Sequence, residues 1–156
     1  MYRQRTPVVP KKKNLDQCIL PKLTYICETW AFSKQLLKKV RTAQRAMERK
    51  MLGLTLLDKV PCKKIREKTG VKDALKFILE MKWRWAGHIG RISDNRWTYK
   101  CTFWDLQTPR RPGRPRTKWE TDIVKYAGTN WRKRCHDRQV RRVLAEGYVQ
   151  QWKDIA

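Results

Sequence analysis

The residues of this chain that could do chemistry are its cations. Arg110 to Trp119 reads RRPGRPRTKW, with five cations and no acid. Pro112 and Pro115 lack backbone donors and fix φ, so the segment stays extended and presents Arg110, Arg111, Arg114, Arg116 and Lys118 along a semi-rigid strip. Such a strip suits a phosphate backbone or a narrow minor groove; the alternative is a solvated linker. A second set, Lys34, Lys38, Arg41, Arg45 and Arg49, repeats at helical steps and falls in a narrow arc, with Glu48 the only acid near it. The plain reading of that arc is an ordinary solvated face. The third set lies in KWRWAGHIGR, Lys82 to Arg91, where Arg84, His88 and Arg91 share one edge and could contact phosphates. Gly87 and Gly90 thin that helix and allow close approach by a partner helix or a nucleic-acid backbone. Trp83 and Trp85 are read first as core residues rather than base-stacking platforms, and their spacing of two keeps them from pointing the same way.

Catalytic constellations are not evident. A nucleotide-joining polymerase needs paired carboxylates for two metal ions, and the chain has no Asp-Asp dipeptide and no acidic cluster on an apolar strand. His88 and His136 are the only histidines. Cys135-His136 could enter a zinc site only with distant partners such as Cys101, and a packed thiol beside a charged-face or capping imidazole is the simpler reading. Glycine-rich phosphate loops, Gly-x-Ser-x-Gly and His-Glu-x-x-His are all missing. The expectation is a binding protein, with no metal, no cofactor and no catalysis by this chain alone.

Composition agrees with that expectation. Lys and Arg number 38 against 14 Asp and Glu, a formal charge of +24 over 156 residues, which calls for a polyanionic partner: DNA, RNA or both, met through the backbone. With 40% hydrophobic residues and eight tryptophans, the chain can close one modest core or two small ones. No uncharged apolar run is long enough to span a bilayer, so no membrane partner is expected. A soluble, intracellular protein follows, with a nuclear location compatible with the basic N-terminal run. Five scattered cysteines without a CxxC fit reduced thiols.

The elements that must position these cations read as helices throughout. Residues 1–14 are expected to be a disordered basic tail. From Leu15 to Trp30, Leu15, Ile19, Leu23 and Ile26 approximate a helical period, with a short strand also allowed. Ser33 as N-cap and Gly53 as stop bound a helix whose apolar stripe is Leu36, Val40, Ala43, Met47 and Met51. Pro61 to Thr69, closed by Gly70, is a short helix, and Asp73 caps the next, which runs to about Ile92. Lys82 stands in the middle of that helix's apolar face and must snorkel out or lie where the helix leaves the core. A helix from Trp97 to about Trp104 follows, capped by Ser93 or Asp94. Thr117 and Glu120 have capping-box spacing for a helix bearing Trp119, Ile123, Tyr126 and Ala127. The last helix starts near Asn130, with Val140, Val143, Leu144, Gly147 and Tyr148 on its apolar face and Arg132, Lys133, Arg134, Arg138, Arg141 and Arg142 around it. The predicted organisation is all-α: a small bundle over 15–105, a basic linker over 106–117 and a C-terminal helical unit over 118–153.

Six strings occur in one order: LPKLTYICETW (Leu20 to Trp30), QRAMERKMLGLTLLDK (Gln44 to Lys59), KWRWAGHIGRISDNRW (Lys82 to Trp97), GRPRTKWETDI (Gly113 to Ile123), GTNW (Gly128 to Trp131) and EGYVQQW (Glu146 to Trp152). Together they resemble the C-terminal part of the reverse transcriptase of non-LTR retrotransposons, the RTE-like endonuclease-reverse transcriptases, over roughly residues 11 to 153. The resemblance implies a helical thumb followed by a basic extension, without the endonuclease and without the palm that carries the catalytic aspartates. It implies a fragment that grips duplex or RNA–DNA hybrid through Lys34 to Arg49. The same resemblance leaves two further readings, a clipped part of an active RNA-directed DNA polymerase and an unselected transposon remnant. A thumb normally packs on a palm, so the face around Leu15 to Trp30 would meet a palm or, without one, a second copy of the chain. Gly113-Arg114-Pro115 looks like an AT-hook core, but Pro112 stands where an arginine normally precedes the glycine. Arg141 falls where relatives often carry tryptophan, as in a diverged copy.

Overall fold

In the computed structural model, residues 7–92, 96–103, 113 and 117–153 are described. Among them every regular element is helical, as the sequence predicts. Packing divides the chain into two units: one comprises residues up to Cys27 together with Ser33–Ile78, the other Glu28–Phe32 together with the chain from Leu79 onward. The division falls inside a continuous helix, and most of the expected 106–117 linker lies outside the described residues.

In the first unit, α1 (Val8–Asn14) passes through a π-turn (Leu15–Ile19) into α2 (Leu20–Leu23). The expected disordered tail is therefore helical from Val8. One of its cations ties it down: Lys11 Nζ donates to the Met51 carbonyl at 3.1 Å, at a helix end where carbonyls lack partners, and just beyond it Leu15 and Leu20 are buried. The π-turn has a local cause in Pro21. Proline has no N–H to return and its ring crowds the carbonyl four residues back, and the wider turn relieves this while Leu20 N–H bonds Leu15 O. Burial of Leu15, Leu20, Thr24 and Cys27 replaces the expected set, leaving Ile19 and Ile26 exposed, with Ile26 in the left-handed region at φ 56°.

Helix α3 (Lys34–Leu52) has the predicted limits: Ser33 Oγ accepts from Leu36 N–H, and Gly53 takes the left-handed conformation at φ 69°. Its buried face is rotated from the expected stripe. Leu37, Val40, Gln44 and Glu48 are inside, and Ala43 is outside. Gln44 is drawn in because its amide bridges two backbone groups, donating to Lys72 O at 2.8 Å and accepting from Ala74 N–H at 2.9 Å. Helix α4 (Cys62–Thr69) buries Ile65 and Thr69 and ends at Gly70. Asp73 then caps α5 (Ala74–Gly90) by accepting from Leu75 and Lys76 N–H.

The second unit takes the later part of α5 together with α6 (Trp97–Phe103), α7 (Thr121–Ala127), α8 (Trp131–His136) and α9 (Arg138–Lys153). The expected cap at Ser93 or Asp94 lies outside the described residues. Helix α7 begins after Glu120, later than the Thr117 capping box predicts, and Trp119 sits in the preceding turn with its Nε1 donating to Glu28 O at 2.6 Å. The single last helix is two, because Asp137 turns extended and its carboxylate accepts from Gln139 and Val140 N–H, capping α9. Tyr148 and Val149 are buried from α9, while Val140 and Val143, expected inside, are exposed.

Lys82 neither snorkels nor leaves the core. It is wholly buried, donating to Asp122 Oδ1 at 2.6 Å and to Trp30 O at 2.9 Å, with the Phe32 ring centroid 4.1 Å from its ammonium. Tyr148 OH donates to the other oxygen of Asp122. Burial lowers the lysine pKa, and Asp122 opposes that shift; burial and the Asp122 charge together push the Tyr148 phenol far above its usual range. Around this triad Trp83 contacts Tyr126 and Tyr148, with centroids 6.0 and 5.2 Å apart.

Candidate functional site

The three cationic sets have different fates. On α3, Lys34 and Lys38 are exposed, but Arg41, Arg45 and Arg49 are half-buried, because the face that turns inward carries Gln44 and Glu48. Arg41 Nη1 and Arg45 Nε lie out of contact with water and find no hydrogen-bond partner among the described residues. Burial, reinforced by Arg45, pushes the Arg41 guanidinium below its usual value. Beside them Arg66 pairs with Asp73 at 2.8 Å. Burial raises the Asp73 carboxyl, but its bonds from Arg66 and from the Lys76 and Leu75 amides outweigh this and hold it below the carboxylate range. Half of the expected arc is thus built into the packing of its own unit.

Arg110, Arg111, Arg114 and Arg116 lie outside the described residues. Lys118 is exposed in the turn before α7.

Arg84 and His88 on α5 and Arg91 in the turn that follows it are all exposed and come together as predicted. They line a groove of about 340 Å³ with Met81, Trp85 and Glu28. Arg84 and Arg91 also line a larger groove, about 1040 Å³, whose other wall is α9 with Arg138, Arg141 and Arg142. Five arginines face this space, and Glu80 is the only carboxylate among the described residues that line it. In the sequence Arg138, Arg141 and Arg142 stand out only as charge around a helix, but Arg141 and Arg142 lie three and four residues beyond Arg138, the spacing that puts each of them beside it on one face.

Local chemistry explains how the groove is held. Asp137 fixes the start of α9, and Trp83 Nε1 donates to Arg141 O at 3.1 Å, tying α9 to α5. Gly87 is buried under the Arg141 stem: a Cβ there would sit 2.9 Å from Arg141 Cδ and 3.4 Å from Arg91 Nη1. Gly90 faces Cys135 and Trp131 in the same way, at 3.0 and 3.4 Å. The close approach predicted at these glycines is therefore made by the chain's own helices. Cys135 is a packed thiol, its pKa pushed up by burial, and the adjacent His136 is exposed.

Trp83 and Trp85 part company as their spacing requires. Trp83 is core, 3% exposed, whereas Trp85 is half-buried at the smaller groove with its ring 5.4 Å from that of His88 and tilted by 31°. Among the described residues no helix is long and apolar enough to cross a membrane, and no three His, Cys, Asp or Glu residues come together as a metal site would need.

Over 115 residues, 70% of this chain, the sequence is 36% identical to a Caenorhabditis elegans protein named as transposon-derived. The chain spans 41% of the length of that relative. No family model matches the chain. No solved structure matches it. The similarity supports a transposon origin.

Proposed function

We propose that this chain is a transposon-derived nucleic-acid-binding piece that grips the phosphate backbone and does not catalyse on its own. The observation that carries the reading is the groove between α5 and α9, where Arg84, Arg91, Arg138, Arg141 and Arg142 face one space with a single carboxylate. Phosphates are the ligand such a surface suits, because guanidinium forks match them and a chain of charge +24 gathers polyanions from solution. Contacts of this kind position a backbone without reading bases, so sequence preference should be weak. The likeness to a transposon-derived protein and the resemblance to a reverse-transcriptase thumb with its basic extension fit the same role. Filter binding across salt tests it. If about five cations engage phosphate, log K falls against log salt with a slope of about −4, and neutralising Arg84, Arg138 and Arg142 to glutamine flattens it by about 3. Absence of binding at low salt, or binding indifferent to salt, would overturn the reading.

The match covers 41% of a longer relative, which fits a chain that is one segment of a longer protein; a second reading takes that protein as an RNA-directed DNA polymerase, for whose palm this segment grips nucleic acid. It predicts an in-frame palm with paired aspartates encoded upstream of Met1 in genomic DNA. A promoter or unrelated exon there would leave the segment to act, or to persist without a role, by itself.

A further inference from the structure

We infer that the α5–α9 groove takes a single strand, with one unstacked base seated on Trp85. The inference rests on the phosphate-gripping reading and adds the form of nucleic acid that is gripped. Arg84 and Arg91 line both the arginine groove and the smaller groove that holds Trp85, so a backbone held by these two arginines passes directly beside an aromatic surface. The two arginines are seven residues apart, roughly 10 Å along the helix axis. Between them Trp85 and His88 form a tilted ring pair that lines the smaller groove with Met81, and Trp85 is half-buried although its neighbour Trp83 already fills the core. The smaller groove, at about 340 Å³, lies in the range of sites that hold small planar ligands, about 300–1,000 Å³.

Base stacking on tryptophan requires an exposed base face. A duplex keeps its base faces against one another and offers this groove only phosphates and sugars, so Trp85 would add nothing to duplex affinity. A single strand offers both, and every base has a ring face, so stacking strengthens binding without conferring sequence preference.

The test compares fluorescein-labelled oligo(dT), oligo(U) and a mixed-sequence duplex of equal length by anisotropy at one low salt concentration. Either single strand should bind at least about tenfold tighter than the duplex. Trp85→Leu, which keeps apolar bulk, should weaken single-strand binding about tenfold and leave the duplex within about twofold. Equal or tighter duplex binding, or a W85L variant that shifts neither or both equally, would overturn the inference while leaving the phosphate grip intact. Failure of all three to bind would remove the phosphate grip itself. Because W85L could disturb folding, the wild-type chain is also irradiated with a bromodeoxyuridine oligonucleotide. An adduct on the peptide carrying Trp85 and His88 supports the base seat, and adducts confined to other peptides refute it.

Discussion

Lys82 and Asp122 meet at 2.6 Å in the interior, the lysine with no exposure to solvent and the aspartate nearly none. Taking two charges out of water is costly, and the site offsets that cost by satisfying both ends: Trp30 O and the Phe32 ring take the rest of the ammonium, and Tyr148 takes the second carboxylate oxygen. Removing one partner leaves the other charge buried alone. Asp122→Asn or Lys82→Met should each cost about 3–5 kcal/mol in urea denaturation, and the double variant Lys82→Met with Asp122→Asn should cost less than the sum. Additive losses would show that the pair does not act as a unit.

Glu48 gives the fold a pH dependence of predictable sign. It is 1% exposed, its Oε2 has no partner among the described residues, and burial raises its carboxyl pKa against the opposing pull of Arg66 and Gln44. In the unfolded chain it titrates near ~4.3. Between that value and its raised folded value the folded state holds the proton and the unfolded state does not, so stability falls as pH rises through the window. Glu48→Gln should remove this fall and be the more stable form at neutral pH. Melting temperatures of both proteins from pH 4 to 7 check it; parallel profiles would mean that Glu48 is not buried as charged.

Gly147 lies under the Tyr126 hydroxyl, where a Cβ would collide with that oxygen and come within 3.3 Å of Cζ. Alanine in a helix is ordinarily worth about 1 kcal/mol over glycine. Here Gly147→Ala should instead destabilise by about 1–3 kcal/mol. Adding Tyr126→Phe removes the colliding oxygen and should recover most of the loss. A thermal melt in which G147A alone is stabilising would contradict the packing.

What was legible in the sequence was chemistry between near neighbours. Ser33 and Gly53 bound α3, Gly70 ends α4 and Asp73 starts α5, because a cap needs only a side chain and amides two or three residues away. Arg84, His88 and Arg91 could be joined for the same reason, being helical neighbours. The burial of Lys82 was not legible, since Asp122 is forty residues distant and no periodicity announces it. Gln44 rotated α3 away from its apolar stripe through bonds to Lys72 and Ala74, again distant in sequence, and so carried Arg41 and Arg45 half into the packing. Arg138, Arg141 and Arg142 were readable as one face, but only the approach of α9 to α5 across Gly87 turned that face into a wall of the groove.

The short stretch from Glu28 to Phe32 belongs with the chain beyond Leu79, although α3 and α4 intervene in sequence. Its backbone carbonyls at Glu28 and Trp30 receive the Trp119 indole and the Lys82 ammonium. Vectorial synthesis therefore releases one half of this arrangement well before the other. A recombination event that copied only codons 79–153 into a new gene would deliver a lysine stripped of one acceptor and of the ring beneath it. Inheriting the arginine groove with its core satisfied therefore means inheriting that upstream pentapeptide as well.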